Sequence, residues 1–73
     1  MATPSSTSLV EQIGETAGKV WHTLSKDGAM SPAKLVKAVG EPRDVVMQAI
    51  GWLAREGKVA VEEQGRSRVV SLR

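Results

Sequence analysis

Hydrophobic residues recur every three or four positions in three separate stretches of this chain of 73 residues. In the first stretch they fall on one side of a helix and charged residues fall opposite, which predicts an amphipathic helix. Its apolar side consists of Leu9, Val10, Ile13, Ala17, Val20 and Leu24. Ser8 and Glu11 have the spacing of a capping box, so the helix is predicted to begin at Ser8. It is predicted to end near Asp27, with Gly28 in the left-handed conformation.

Two shorter helices are predicted next, each bounded by its own start and stop residues. Ser31 is suited to cap the second helix, Pro32 fits its first turn, and Gly40 ends it. Pro42 fits the first position of the third helix, and Gly57 closes that helix. The apolar stripes are Leu35, Ala38 and Val39 in the second helix, and Val46, Ala49, Ile50 and Leu53 in the third.

The C-terminal part changes to the pattern of a β-hairpin. Residues 58–62 and 68–72 are short and rich in β-branched side chains, and residues 64–67 form a turn that contains Gly65. The connector Ala29-Met30 offers one further extended pairing position. The predicted fold class is therefore α+β: a winged helix-turn-helix, with three helices followed by a C-terminal two-stranded β-hairpin wing.

A single domain is predicted over residues 9–73, preceded by a flexible N-terminal tail of residues 1–8. The tail combines Pro with Ser and Thr and lacks the basic start and apolar core of a secretory signal. The chain has no Cys, which excludes disulfides and suits a reducing compartment, so a cytoplasmic location is expected. No apolar run is long enough to span a bilayer.

Two motifs resemble known winged-helix proteins. Residues 53–59, with sequence LAREGKV, are similar to the end of the recognition helix and the entry to the wing in winged-helix repressors. Residues 14–21 and 51–58 resemble a family of very small prokaryotic winged-helix proteins of unassigned function. The resemblance covers residues 13–72. It implies the fold, and it implies function only at the level of DNA binding.

The net charge of +2 comes from the hairpin. Residues 1–57 hold six Lys and Arg against six Asp and Glu, whereas residues 58–73 hold four against two. On a DNA-binding interpretation, Lys34, Lys37, Arg66 and Arg68 contact phosphates, and Arg43, Met47 and Gln48 face base edges. Gln48 suits adenine because its amide can pair bidentately with that base. The alternatives are an ordinary solvated Gln48 and an ordinary soluble hairpin.

A homodimer is a further hypothesis, since few cationic contacts per copy would give weak binding. Gly14, Gly18 and Ser25 share the side of the first helix away from its stripe, with Trp21 at the margin. This surface is the candidate dimer interface, where a partner helix could approach closely. The alternative, which we favour from sequence, is that Gly14 and Gly18 tolerate a bend or close packing within the monomer. Gly51 in the third helix suggests a close backbone approach by DNA or by a neighbouring segment of the same domain, and the neighbouring segment is favoured. Trp21 and Trp52 are predicted to cover the joint between helix and hairpin at the edge of the core.

The residue inventory argues against an enzyme. One His, no Cys and no Tyr leave little material for acid-base or nucleophilic chemistry, and no cofactor or metal site emerges. The predicted function is duplex-DNA binding through the third helix and the wing, as in a transcriptional regulator. The alternative is a protein-interaction winged helix that does not bind DNA, which the acidic residues of the third helix favour.

Overall fold

The computed structural model describes residues 5–73, with side chains described from residue 9 onward. Helix α1 spans Ser5–Asp27, α2 spans Pro32–Val39 and α3 spans Arg43–Arg55. Strands β1 (Val59–Gln64) and β2 (Ser67–Leu72) pair in antiparallel fashion. The predicted order of three helices followed by a two-stranded hairpin is confirmed.

The start of α1 differs from the prediction. The helix begins at Ser5, so Ser8 lies inside it and the predicted start at a capping box is wrong. Residues 5–8 contain no Gly or Pro, and nothing in them stops the helix from extending by one turn toward the N-terminus. Of the predicted flexible tail, residues 5–8 are therefore helical, and residues 1–4 lie outside the described residues.

The ends of α1 and α2 follow their local sequence. Gly28 adopts a φ of 87° directly after α1, and its amide donates to the Leu24 carbonyl at 2.9 Å. The Ser31 hydroxyl caps α2 by accepting from the Lys34 amide at 3.2 Å. Gly40 ends α2 with a φ of 78°. These predicted caps are confirmed, since only a residue without Cβ tolerates the left-handed region without strain.

Helix α3 begins one residue later than predicted. Pro42 is the N-cap and not the first helical residue, with a φ of −55° and a ψ of 143°. An N-cap residue ordinarily has an extended backbone, and the fixed φ of proline is compatible with that conformation. The Pro42 carbonyl accepts the first helical hydrogen bond, from the Val46 amide at 3.0 Å.

The hairpin is tighter than predicted. Both strands continue to the Gln64–Ser67 pair, so the turn contains only Gly65 and Arg66. Gly65 has a φ of 64°, whereas Arg66 has a negative φ, which is the pattern of a type II′ turn. That turn matches the natural twist of paired strands, and the hairpin therefore extends to its tip without a loose loop.

The core lies between the three helices and the base of the hairpin. Its buried residues include Val20 and Leu24 from α1, Leu35 from α2, and Val59 and Val70 from the two strands. Helix α3 contributes Val46, Ala49, Ile50 and Leu53. Apolar packing thus holds the wing against the helical body.

One short backbone bridge also attaches the wing to the start of α2. The Met30 amide donates to the Val70 carbonyl at 3.1 Å, and the Val70 amide donates back to the Met30 carbonyl at 2.8 Å. The predicted extended pairing position between α1 and α2 is thereby confirmed. Its consequence is that β2 runs beside the N-terminus of α2.

An ion pair joins α1 to the turn between α2 and α3. The Lys19 ammonium lies 2.6 Å from the Glu41 carboxylate, and both side chains keep contact with solvent. The hydrogen bond from Lys19 to Glu41, followed by the attraction of the Glu41 charge, raises the pKa of Lys19 above 10.5. Such exposed pairs contribute little to stability because water screens them.

We expect Glu41→Gln to lower the midpoint of thermal unfolding by at most a few degrees near neutral pH. The raised pKa of Lys19 means that the folded state binds this proton more tightly than the unfolded state does. The stabilisation is therefore fully present below pH 10.5 and is lost as the pH rises through the folded-state pKa. Thermal melts of wild type and variant should converge at strongly alkaline pH. A difference in melting temperature that persists at strongly alkaline pH would contradict the ion pair as the source of the stabilisation.

Candidate nucleic-acid interface

Arginines from two distant parts of the sequence meet in a shallow groove between α3, the start of α2 and the tip of the hairpin. We call this the basic groove. Its arginines are Arg43 of α3 and Arg66 and Arg68 of the hairpin, and Met47 forms its apolar floor. Ser31, Pro32, Ala33 and Ser67 complete the lining. None of these eight residues is acidic, so the groove attracts anions.

Helical spacing puts the two α3 residues into the groove. Arg43 is the first residue of α3, and Met47 follows four positions later, so both lie on the flank that faces the wing. Met47 is half-buried and also packs against the core, whereas Arg43 is exposed. Met47 thus packs this end of α3 against the core, whereas the Arg43 side chain remains exposed to solvent.

The hairpin presents its two arginines on one face. Arg66 occupies the second position of the tight turn, and Arg68 lies two residues further along, where side chains return to the same side of a strand. Arg68 also lies opposite Glu63, with its Nε 3.4 Å from a carboxylate oxygen. Both side chains of this pair are exposed, so the pair is weak and easily exchanged for another anion.

Three other residues predicted to contact DNA do not line the basic groove. Lys34 and Lys37 are exposed on α2, and Gln48 is exposed on α3. Gln48 shares the outward row of α3 with Asp44, Gly51 and Arg55, all of which are exposed. This row faces away from the core. It borders the basic groove because Gln48 is next to Met47, which lines the groove.

Gly51 is exposed, and none of the described segments packs closely against it. A Cβ built on this residue would meet no heavy atom within 4 Å, apart from its own helix backbone and chain neighbours. The predicted approach by another segment of the same domain is therefore wrong. The sequence could not decide this point, because the position of a mid-helix glycine relative to other elements is set by tertiary packing.

A second groove lies on the opposite flank of α3. Gly14, Gly18 and Trp21 of α1 line it together with Trp52 and Lys58, and we call this surface the tryptophan face. Trp21 is 43% exposed and Trp52 is 54% exposed, and both line this groove beside the buried residues Ala17 and Leu53, as expected for residues at the edge of the core. Ser25, predicted to belong to the same surface, is exposed but does not line this groove.

The glycines of α1 are likewise open. Among the described residues, a Cβ at Gly14 or Gly18 would meet no heavy atom within 4 Å beyond the local backbone, which contradicts close packing within the monomer. The alternative that these glycines tolerate a bend stays a prediction. Sequence reasoning missed Trp52 and Lys58 as members of this surface. The only sequence feature that pointed to this surface was the position of Trp52 outside the apolar stripe of α3.

Metal and membrane chemistry find no support in the described part of the chain. Within residues 5–73, no three His, Asp or Glu side chains lie close enough to hold a metal ion. The helices of that same part are too polar or too short to cross a lipid bilayer.

Three helices, a paired wing and a groove between the third helix and the wing define a winged helix-turn-helix domain. Residues 9–72 match the family described as Winged helix-turn-helix domain (DUF2582), and this chain belongs to that family. The predicted fold class and the family resemblance are thereby confirmed.

Two similar proteins support the assignment. The chain is 38% identical over 64 residues to "Uncharacterized protein MJ1608" of Methanocaldococcus jannaschii, covering 85% of this chain and 91% of the relative. It is 34% identical to protein BT2368 of Bacteroides thetaiotaomicron, whose solution NMR structure superposes with a TM-score of 0.78. That comparison covers 85% of this chain and 76% of the other. Neither name states a partner.

Proposed function

We propose that this domain binds duplex DNA through α3 and the hairpin wing and acts as a transcriptional regulator. The observation that supports the proposal is the basic groove, in which Arg43, Arg66 and Arg68 converge with no acidic residue in the lining. Winged-helix domains offer their third helix and wing to DNA in this relative position. The helix contributes one of these arginines and the wing contributes two. The proposal therefore depends on their position in one groove.

In the proposed complex, α3 lies along the major groove. Gln48 is the candidate for reading bases, because it is exposed on the outward row and its amide can donate to and accept from adenine. Arg43 reaches a base edge or the adjacent phosphate, and Met47 makes apolar contact at the groove wall. Gly51 on the same row leaves space for the approaching backbone of the nucleic acid.

Phosphate contacts come from the wing and from α2. Arg66 and Arg68 neutralise the backbone on one side of α3, and Lys34 and Lys37 do so from α2. About five cationic contacts predict an affinity that falls steeply with salt. The ion pair between Arg68 and Glu63 does not prevent such a contact, because both side chains are exposed.

We further propose that the protein acts by binding and not by catalysis. The whole chain has one His, no Cys and no Tyr, and His22 is exposed on α1, away from the lining of the basic groove. Winged-helix domains commonly serve as binding modules, which supports the same conclusion.

A protein-interaction module without DNA binding is the second candidate function. The observation that favours it is the tryptophan face, since two half-exposed tryptophans are unusual on a domain of this size. The two candidates use opposite flanks of α3, so they are separable by experiment.

Titration of the isotopically labelled chain with a short duplex at low salt should distinguish them. We expect the largest amide shifts at Arg43, Met47, Gln48, Arg66 and Arg68, and we expect the shifts to diminish as salt is added. The indole signals of the two tryptophans serve as internal controls, because neither ring lines the basic groove.

The absence of shifts at low salt would contradict DNA binding and favour the protein-interaction candidate. A pattern centred on Trp21 and Trp52 would contradict the proposed site, because the duplex would then bind on the opposite flank of α3.

A further inference from the structure

We infer that Asp44 is a specificity-determining residue of the proposed DNA complex, in which its carboxylate selects a cytosine in the major groove. This role rests on the proposed function, since it requires α3 to lie in that groove. It adds a base preference and the residue that sets the preference. The preference arises because a carboxylate is repelled by most other groups on the surface of the duplex.

Asp44 lies near the centre of the face that α3 turns to solvent. The opposite, buried side of α3 consists of Val45, Val46, Ala49, Ile50 and Leu53. At about 3.6 residues per turn, Asp44, Gly51 and Arg55 point most directly away from that side, and all three are exposed. Gln48 follows Asp44 by one turn on the same outward row. A duplex that contacts Gln48 and the basic groove therefore also meets Asp44.

The fold restrains the Asp44 carboxylate without neutralising it. Its Oδ1 atom accepts from the Val45 amide at 3.0 Å, which limits the orientation of the side chain. Asp44 takes part in neither of the two ion pairs found among the described residues. The residues that follow it at helical spacing, Met47 and Gln48, are uncharged, so the next turn of α3 provides no partner. The negative charge is therefore presented to whatever approaches the outward row.

The surface of duplex DNA offers few favourable partners for a carboxylate. Phosphates repel it, and so do the acceptor atoms of the major groove, which are guanine N7 and O6, adenine N7 and thymine O4. The donors in that groove are the amino groups of cytosine and adenine. The adenine amino group lies between two acceptors, whereas the cytosine amino group has an acceptor, guanine O6, on one side only. The carboxylate is therefore accommodated best opposite a cytosine.

Asp44 contributes to discrimination more than to affinity. Its charge opposes the approach of phosphates at every sequence, and this loss is recovered only where a cytosine donates to the carboxylate. That effect accounts for an acidic residue at the centre of a row that ends in Arg55 and adjoins Arg43. An acidic residue in the first turn also interacts favourably with the helix dipole, but such a structural role predicts no base preference.

The helix also sets the distance between the cytosine and the adenine proposed for Gln48. One turn separates Asp44 from Gln48, which is about 6 Å along the axis at about 1.5 Å per residue. Successive base pairs are about 3.4 Å apart. The cytosine is therefore expected within about two base pairs of that adenine.

Selection from a pool of duplexes with about ten randomised base pairs tests the inference. The full chain is mixed with the pool at low salt, and the retained duplexes are sequenced. We expect wild type to enrich a C·G pair at one position. Fluorescence anisotropy with two duplexes that differ only in this pair should show a preference of about tenfold for C·G over A·T.

Asp44→Asn is the variant that tests the carboxylate itself. It keeps an oxygen that can accept from the Val45 amide and removes the charge from an exposed position, so the melting temperature should stay close to that of wild type. The variant should lose the preference for C·G. Its affinity for the A·T duplex should rise by about tenfold, because the Asn amide can both donate to and accept from adenine.

Glu56→Gln is the matched control. Glu56 is the exposed C-cap of α3, so this variant removes the same charge from the other end of the helix. It should keep the C·G preference of wild type. Loss of the preference in this control would show that net charge, and not the position of Asp44, is responsible.

The outcomes separate the base preference from DNA binding itself. Retention of the pool by wild type without a cytosine preference would overturn the role of Asp44 and leave the proposed function standing. An equal C·G preference in wild type and Asp44→Asn would have the same meaning. No retention of any duplex by wild type at low salt would overturn both the proposed function and the role of Asp44.

Discussion

We expect replacement of both Arg66 and Arg68 with Ala to lower the affinity for duplex DNA by about tenfold to a hundredfold at moderate salt. Each arginine that contacts a phosphate releases about one counterion on binding, so the slope of log K against log salt should become shallower by about two. Fluorescence anisotropy of a labelled duplex over a series of salt concentrations measures both quantities.

The matched control for this experiment is Arg73→Ala. Arg73 follows the end of β2, about 17 Å along the strand from Arg68 at 3.3 Å per residue, and does not line the basic groove. Arg73→Ala removes one charge from the other end of the wing and is therefore compared with the single variants Arg66→Ala and Arg68→Ala. The affinity of Arg73→Ala should remain close to that of wild type. If Arg73→Ala weakens binding as much as a wing-tip substitution, the attraction is due to net charge and the proposed site is wrong.

The largest effect on stability is expected for Leu35→Ala. Leu35 has no exposed surface, and it is the fully buried residue of α2. Truncating a buried Leu costs about 2–5 kcal/mol. A domain of this size has a total stability of about 4–11 kcal/mol, so the variant should lose much of its folded stability and melt about 10–25 °C lower. Urea and thermal unfolding followed by circular dichroism would measure the loss.

Lys37→Ala is the comparison for Leu35→Ala. It lies on the same helix but is exposed, and its effect should stay within about 0.5 kcal/mol. The start of α2 also lines the basic groove, so loosening α2 should weaken DNA binding in proportion to the loss of folded protein. A loss below about 1 kcal/mol for Leu35→Ala would show that α2 is not held by this side chain.

Most element boundaries were predictable, because they depend on neighbouring residues. Gly28, Gly40 and Gly57 take positive φ angles at the ends of their helices, as their position after each apolar stripe predicted. The predicted boundaries were wrong where the local sequence is compatible with more than one backbone conformation. Pro42 is suited both to the N-cap and to the first turn, and its extended ψ of 143° places it at the N-cap.

The candidate site was predictable in its parts but not in its assembly. Arg43, Arg66 and Arg68 were identified from charge and element type, yet nothing in the sequence shows that they line one groove while Lys34 and Lys37 do not. Their meeting depends on the bridge between Met30 and Val70, which sets β2 beside the start of α2. That contact joins residues 40 positions apart.

Local chemistry in the chain was sufficient for the helices, their caps, the hairpin and the fold class, since periodicity and turn residues act over a few positions. Packing between distant elements decided which side chains share a groove and which glycines are open. It also left Trp21 and Trp52 half-exposed at the edge of the core. The physical reason is that burial is a property of the assembled surface: a tryptophan is covered only if another element crosses it, and within the described part of this chain none covers them fully.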